Sequence, residues 1–159
     1  MASSDYSAEV SAAVNKQITQ ELQASHTYRA LSSYFGNPRV AYPGFAAFFA
    51  KQAAEEAEHA QAFINYQNER GSFVELGALA GATFEGSPLD ALRSVALPLE
   101  SSVNCALLSL HKIGDERTKV FVEAFLEEQT KSIASLVALV SQVQRLSADG
   151  LYVLDRSLL

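Results

Sequence analysis

The sequence predicts an all-α protein, a four-helix bundle with one long crossover and a short fifth helix at the C-terminus. Three observations carry that expectation. Apolar residues recur at alternating steps of four and three over four long stretches, the period of an amphipathic helix. The chain has only 8 Gly and 4 Pro, and most of them fall between those stretches rather than inside them. Two of the three joins between the long stretches are short and the middle one is long, which makes two antiparallel pairs linked by a crossover.

The first helix is predicted from about Ser7 to Phe35, with Val14, Ile18, Glu21, Ser25, Tyr28, Ser32 and Phe35 facing inward, and it stops at Gly36-Asn37-Pro38. The second runs from about Tyr42 to Glu69, and its inward stripe is Phe45, Phe49, Gln52, Glu56, His59, Phe63 and Tyr66. A link from Gly71 to Ser87 follows; extended, it reaches roughly 50 Å, more than the roughly 40 Å length of each main helix. Ser87-Pro88 supplies an N-cap with proline at the first helical position. The third helix then runs to about Ile113, with Ala96, Glu100, Val103, Leu107 and Leu110 inward. Gly114-Asp115 turns the chain into a fourth helix, from about Glu116 to Leu146, whose stripe includes Phe125, Gln129, Ser132, Leu136, Leu139 and Val143. Asp149-Gly150 reads as its breaker, and residues from about 151 to 158 form the short last helix, apolar on one side. Residues 1–159 are expected to form a single domain, with the bundle at about 7–146.

Composition narrows the function. A net charge of -6 without a basic tail or stripe excludes a general nucleic-acid binder. No stretch approaches the ~20 apolar residues of a membrane span. The start, Met1 to Glu9, is polar and has no signal-peptide pattern, so a cytoplasmic location is expected; an organelle is the alternative if a transit peptide has been removed. Cys105, the single cysteine, excludes an internal disulfide and is expected to be a small packed side chain.

The functional signal is polar residues where core is required. Glu56 and His59 interrupt an aromatic stripe, and an inward carboxylate needs a partner, a proton or a metal. Glu21 lies 14 residues before Phe35 and Glu56 14 after Tyr42, while Glu100 is 12 beyond Pro88 and Gln129 13 beyond Glu116. All four helices thus turn a ligand-type residue inward near one level. Carboxylates bridge and neutralise a pair of iron ions, and the i, i+3 spacing lets Glu56 and His59 act from one face. This reading gives Glu21 and His59 to one iron, Glu100 to the other and Glu56 to both, with Gln129 orienting bound water or oxygen and Tyr28 hydrogen-bonding the ligands.

At these residues the chain resembles the iron-storing ferritins over nearly its whole length. The matching segments are QELQASHTY from Gln20, EEAEHA from Glu55, LESSVNCALLSLHK from Leu99, LEEQTKSI from Leu126 and GLYVL from Gly150. The resemblance implies ferroxidase ligands at Glu21, Glu56, His59, Glu100 and Gln129, with Tyr28 beside them. It further implies oxidation of Fe(II) by O2 at a di-iron centre, and a 24-subunit hollow shell of self-associated chains that stores a ferric oxyhydroxide mineral. Bacterioferritins carry a second Glu-x-x-His and a haem-ligating Met; here Gln129 and Ser132 stand at the former and Met1 is the only Met, so no haem is expected. Light-type animal chains lack the ferroxidase ligands present here. Lys131 and Ser132 replace acidic residues that some bacterial ferritins use for a third iron site.

Other residues carry weaker expectations. Glu55 and Glu58 read either as carboxylates that admit or nucleate iron or as a solvated acidic face, and His26 and His111 are not expected to bind metal. Pro98, two residues before Glu100, removes a backbone donor to Ser94, so a bend is expected there, one that bears on the position of Glu100. Two alternatives stand beside the ferroxidase reading: a non-catalytic iron-binding or structural subunit, and a di-iron oxygenase, which the single Glu-x-x-His and the small size disfavour.

Overall fold

The computed structural model describes residues 5–159; the lone methionine and the first part of the polar start lie outside them. The fold is a helical bundle. Helix α1 is Ala8–Gly36, α2 is Pro43–Glu69, α3 covers 88–113, α4 is Glu116–Arg145 and α5 is Ala148–Ser157. No strand occurs among the described residues. Helix α1 packs chiefly on α2 and α3, and α3 on α4.

Local chemistry sets most boundaries. Ser7 Oγ accepts from Val10 N to start α1, Ser87 and Asp90 form a reciprocal capping box at the start of α3, and Asp115 accepts from Thr118 N to start α4. Gly71, with φ of 75°, takes the left-handed conformation just beyond α2, where a Cβ would be strained. The break before α5 lies at Leu146-Ser147, not at Asp149-Gly150 as expected from sequence. Ser147 Oγ accepts from Gly150 N, which draws both residues into the first helical turn.

Pro98 is absorbed rather than exposed as a broken turn. Helix α3 opens as Pro88–Asp90, passes through a π-helical stretch at Ala91–Ala96 and resumes as an α-helix at Leu97–Ile113. The Leu97 N–H bonds to Leu92 O, five residues back. The wider turn restarts the α-helical register, so Pro98 falls in a first turn, where the missing N–H is tolerated. Glu100 remains turned into the bundle, 1% exposed.

The crossover is pinned to α1 by side chains. Asn15 donates to Phe73 O at 3.1 Å and accepts from Glu75 N at 3.0 Å; Gln23 repeats the arrangement on Ala80, at 3.2 and 2.7 Å. The core divides into two apolar clusters. One, around Tyr28, Phe35, Phe45, Phe49 and Leu136, joins the α1–α2 turn to the last helix; the other, around Val14, Ile18, Phe63, Val103 and Leu107, lies toward the opposite end.

Helix α5 docks on the start of α2 through one contact. Tyr42 gives α2 no side-chain cap, and the buried Asp155 carboxylate accepts from Phe45 N at 2.9 Å instead. An anion thereby meets the positive end of a helix. The approach is possible because Gly44 has no side chain: a Cβ there would stand 1.6 Å from Asp155 O. Gly44→Ala is therefore expected to lower stability by about 2–3 kcal/mol or to release α5. Thermal unfolding measures the first and protease sensitivity of the C-terminus the second; a wild-type melting curve with an intact C-terminus would refute the docking role.

Candidate metal centre

Glu21 and Glu56 come from the facing stripes of the antiparallel α1 and α2, and the helical step of three brings His59 beside Glu56. A carboxylate oxygen of each Glu and a ring nitrogen of His59 all lie within 4.8 Å of one another. His59 Nδ1 is 3.9 Å from Glu21 Oε2 and 3.6 Å from Glu56 Oε2. Those two Oε2 atoms are buried and have no hydrogen-bond partner. Gln17 Nε2 holds the other oxygen of Glu21 at 2.9 Å, so the unsatisfied one points at the imidazole. Buried oxygens without donors, facing a nitrogen at ligand spacing, fit a divalent cation held at about 2 Å from each ligand atom.

Glu100 and Gln129 form a neighbouring set. Tyr28 Oη donates to Glu100 Oε1 at 2.5 Å and Gln129 Nε2 donates to Glu100 Oε2 at 2.9 Å. Glu100 therefore has both oxygens satisfied and stands outside the three-residue cluster. Glu56 lies between the two sets, since both Glu21 and Glu100 act on its carboxyl. All six residues singled out in the sequence thus meet in the bundle, three as a converging cluster and three as a hydrogen-bonded group beside it. Sequence reading passed over Gln17, which is buried and looks like an ordinary core amide, and Glu128, whose side chain is 61% exposed yet reaches His59 Nε2 at 3.0 Å.

Surrounding residues sort by exposure. Glu55 and Glu58 line a cavity of about 380 Å³ with His59, Glu128, Lys131 and Ser132, on the α2–α4 face. His26 is exposed, and His111 Nε2 lies 3.1 Å from Glu123 Oε1. Cys105 is exposed, contrary to expectation; it sits in a groove between α1 and α3 with Lys16, Gln17 and Gln20. Its position, two residues before the inward Leu107, turns it off the core stripe.

Burial raises the protonation range of the acidic pair. Desolvation pushes the Glu56 carboxyl up to about 7, and desolvation with the neighbouring Glu56 pushes Glu21 well above the usual carboxylate range. The Tyr28 phenol is likewise held far up by desolvation and by Glu100. A carboxyl that binds its proton more tightly in the folded state destabilises that state as it ionises. Stability of the metal-free protein is therefore expected to be full below the ordinary carboxyl pKa and to fall as pH rises from about 4.5 to about 7, by on the order of 3 kcal/mol for Glu56. Melting temperatures at pH 5 and 7.5 measure it, and Glu56→Gln should remove the share due to Glu56 while leaving that of the desolvated Glu21. A metal-free protein equally stable at both values would refute the shift.

A four-helix bundle with carboxylates, an imidazole and an amide turned into its core defines the class of helical carboxylate metal proteins. The model of the ferritin-like domain matches residues 11–146. Soma ferritin of Lymnaea stagnalis is 40% identical over 98% of this chain and 93% of its own length. The middle-subunit ferritin of Aquarana catesbeiana is 36% identical over 96% and 92%. Ferritin-3, chloroplastic, of Arabidopsis thaliana is 40% identical over 97% of this chain and 64% of its own length. The chain belongs to the ferritin family, the iron-storage proteins built on this bundle. No helix among the described residues is long and apolar enough to cross a membrane.

Proposed function

We propose that this chain is a single-domain ferroxidase subunit: it takes Fe(II) into the bundle, passes its electrons to O2, and delivers ferric iron to a mineral held inside a self-assembled shell. The observation that carries the reading is the pair of unsatisfied, buried Oε2 atoms of Glu21 and Glu56 facing His59 Nδ1. In this reading Glu21 and His59 bind one Fe(II), Glu100 the second, and Glu56 joins them. Each Fe(II) gives up one electron and O2 accepts them. Gln129 and Tyr28 hold Glu100, and release of one of its oxygens from them admits the second iron. The carboxylates offset charge that would otherwise be buried without compensation.

Assembly into a shell of about 24 chains has its support in the family and in apolar side chains left open to solvent, among them Phe73, Leu76, Val120, Tyr152 and Val153. A cytoplasmic location is proposed, with an organelle as the alternative suggested by the relatives named chloroplastic. The test is anaerobic Fe(II) titration of the metal-free protein, followed by rapid mixing with O2 and measurement of ferric absorbance. Saturation near two Fe(II) per chain with fast oxidation supports the ferroxidase. One Fe(II) per chain, oxidised only at the rate of free iron, would replace it with the non-catalytic iron-binding subunit.

A further inference from the structure

Gln17 stands among core residues of α1, between the buried Val14 and Ile18, and is itself 2% exposed. It lies four residues before Glu21, a step that stacks two side chains on one face of a helix. Its Nε2 donates to Glu21 Oε1 at 2.9 Å, with both side chains buried. Among the described residues no other side chain donates to that carboxylate, and its Oε2 stays without a donor. Glu100 is held differently, since Tyr28 and Gln129 take both of its oxygens. The adjacent cation, Lys16, lines the groove of about 420 Å³ between α1 and α3, and the ion-pair contact of Glu21 is with His59 instead. An amide donor fixes a carboxylate without neutralising it, whereas an ammonium in its place would do both.

We propose that Gln17 is a positioning residue of the metal pocket: by holding Oε1 of Glu21 it presents Oε2 to a cation beside Glu56 and His59 and leaves the charge of Glu21 uncompensated. A glutamate without that hold samples other side-chain rotamers, and the converging set of Glu21, Glu56 and His59 is then complete for only part of the time. Partners that orient ligands in this way typically change metal affinity by about 10- to 100-fold. The effect on metal binding rests on the proposed Fe(II) site; the hold on Glu21 does not.

Two variants of the full chain test the role. Gln17→Met keeps the size and removes the donor, while Gln17→Asn keeps an amide that is one methylene too short; if the first fails to fold, the second carries the same comparisons. Crystal structures of the metal-free proteins come first. Wild-type Glu21 is expected in one conformer with Oε2 toward His59, and both variants are expected to show it in several conformers or turned out of the pocket. Co(II), which reports its coordination by visible absorption, is then titrated anaerobically. Both variants should bind it about 10-fold more weakly or worse, with an altered spectrum, and Gln17→Met should cause no further weakening in a Glu21→Ala background. An undisturbed Glu21 in the variant crystals would overturn the proposal. So would a Gln17→Met effect of equal size with and without Glu21, which would make Gln17 a packing residue. If the wild type itself binds no Co(II), the metal-site reading fails, while the metal-free crystals still decide whether Gln17 holds Glu21.

Discussion

Replacing Glu56 and His59 together with alanine is expected to slow O2-dependent Fe(II) oxidation by about 100-fold or more and to remove anaerobic Fe(II) binding at the bundle centre. The two residues contribute the carboxylate between the two halves of the site and the only imidazole in the cluster. The fold should survive the change. Glu56 is 3% exposed and leaves an oxygen without a donor, so alanine removes a desolvated group that opposes folding near neutral pH. The metal-free variant should therefore melt within a few degrees of metal-free wild type at pH 7.5, because relief of the buried charge offsets the loss from the space vacated. Stopped-flow absorbance and calorimetry on the same sample separate the two effects. Oxidation at the wild-type rate would remove this cluster from the reaction. A wild-type rate is expected for His26→Ala, because His26 is exposed and outside the cluster.

Arg70→Ala is expected to lower stability by about 2–3 kcal/mol, at a site away from the metal centre. The Arg70 guanidinium closes the bundle at the end of α2. It grips both oxygens of Asp115, with Nη1 at 3.1 Å from Oδ1 and Nη2 on Oδ2, and donates to Tyr66 Oη at 2.7 Å. It also covers the Tyr6 ring at 4.3 Å. The Arg70 and Asp115 side chains are 7% and 12% exposed, so the pair is shielded from solvent, and removing Arg70 leaves a carboxylate poorly hydrated and unpaired. That same carboxylate caps α4 through Thr118 N at 2.9 Å, which couples the ion pair to the start of a helix. Arg70 holds the Asp115 carboxyl well below the usual carboxylate range, so the contribution of the pair is present at neutral pH and is lost only in strong acid. Thermal unfolding at pH 7 measures the effect. Arg70→Lys should recover only part of it, since an ammonium cannot match the fork geometry. A melting temperature unchanged by Arg70→Ala would show the pair to be energetically neutral.

The helical period made the bundle legible, because each helix hides one face and that face is written every three or four residues. The same stripes exposed Glu21, Glu56, Glu100 and Gln129, since a polar residue at a core position stands out against apolar neighbours. Tyr28 was read as their hydrogen-bonding companion, and its partner proved to be Glu100. Less legible were features that depend on two distant segments meeting. Asp155 gives no signal in a short helix marked only by its apolar side, yet it is buried as the missing cap of α2. Asn15 and Gln23 lie off the inward stripe of α1, yet they hold the crossover. Cys105 was misjudged because cysteines are usually buried as a class, whereas its own place on α3 decides its exposure.

By itself, the sequence determined the helical class, the single long crossover and the polar core residues at one level, because periodicity and chain length are properties of the chain alone. Only the tertiary structure decided which carboxylate oxygens are satisfied and which are left to a cation, how a π-helical stretch absorbs Pro98, and how Glu128 reaches His59. Those outcomes turn on distances of a few ångströms between side chains far apart in sequence. Hydrogen bonds and ligand contacts fall away over such distances, whereas a helical stripe tolerates them.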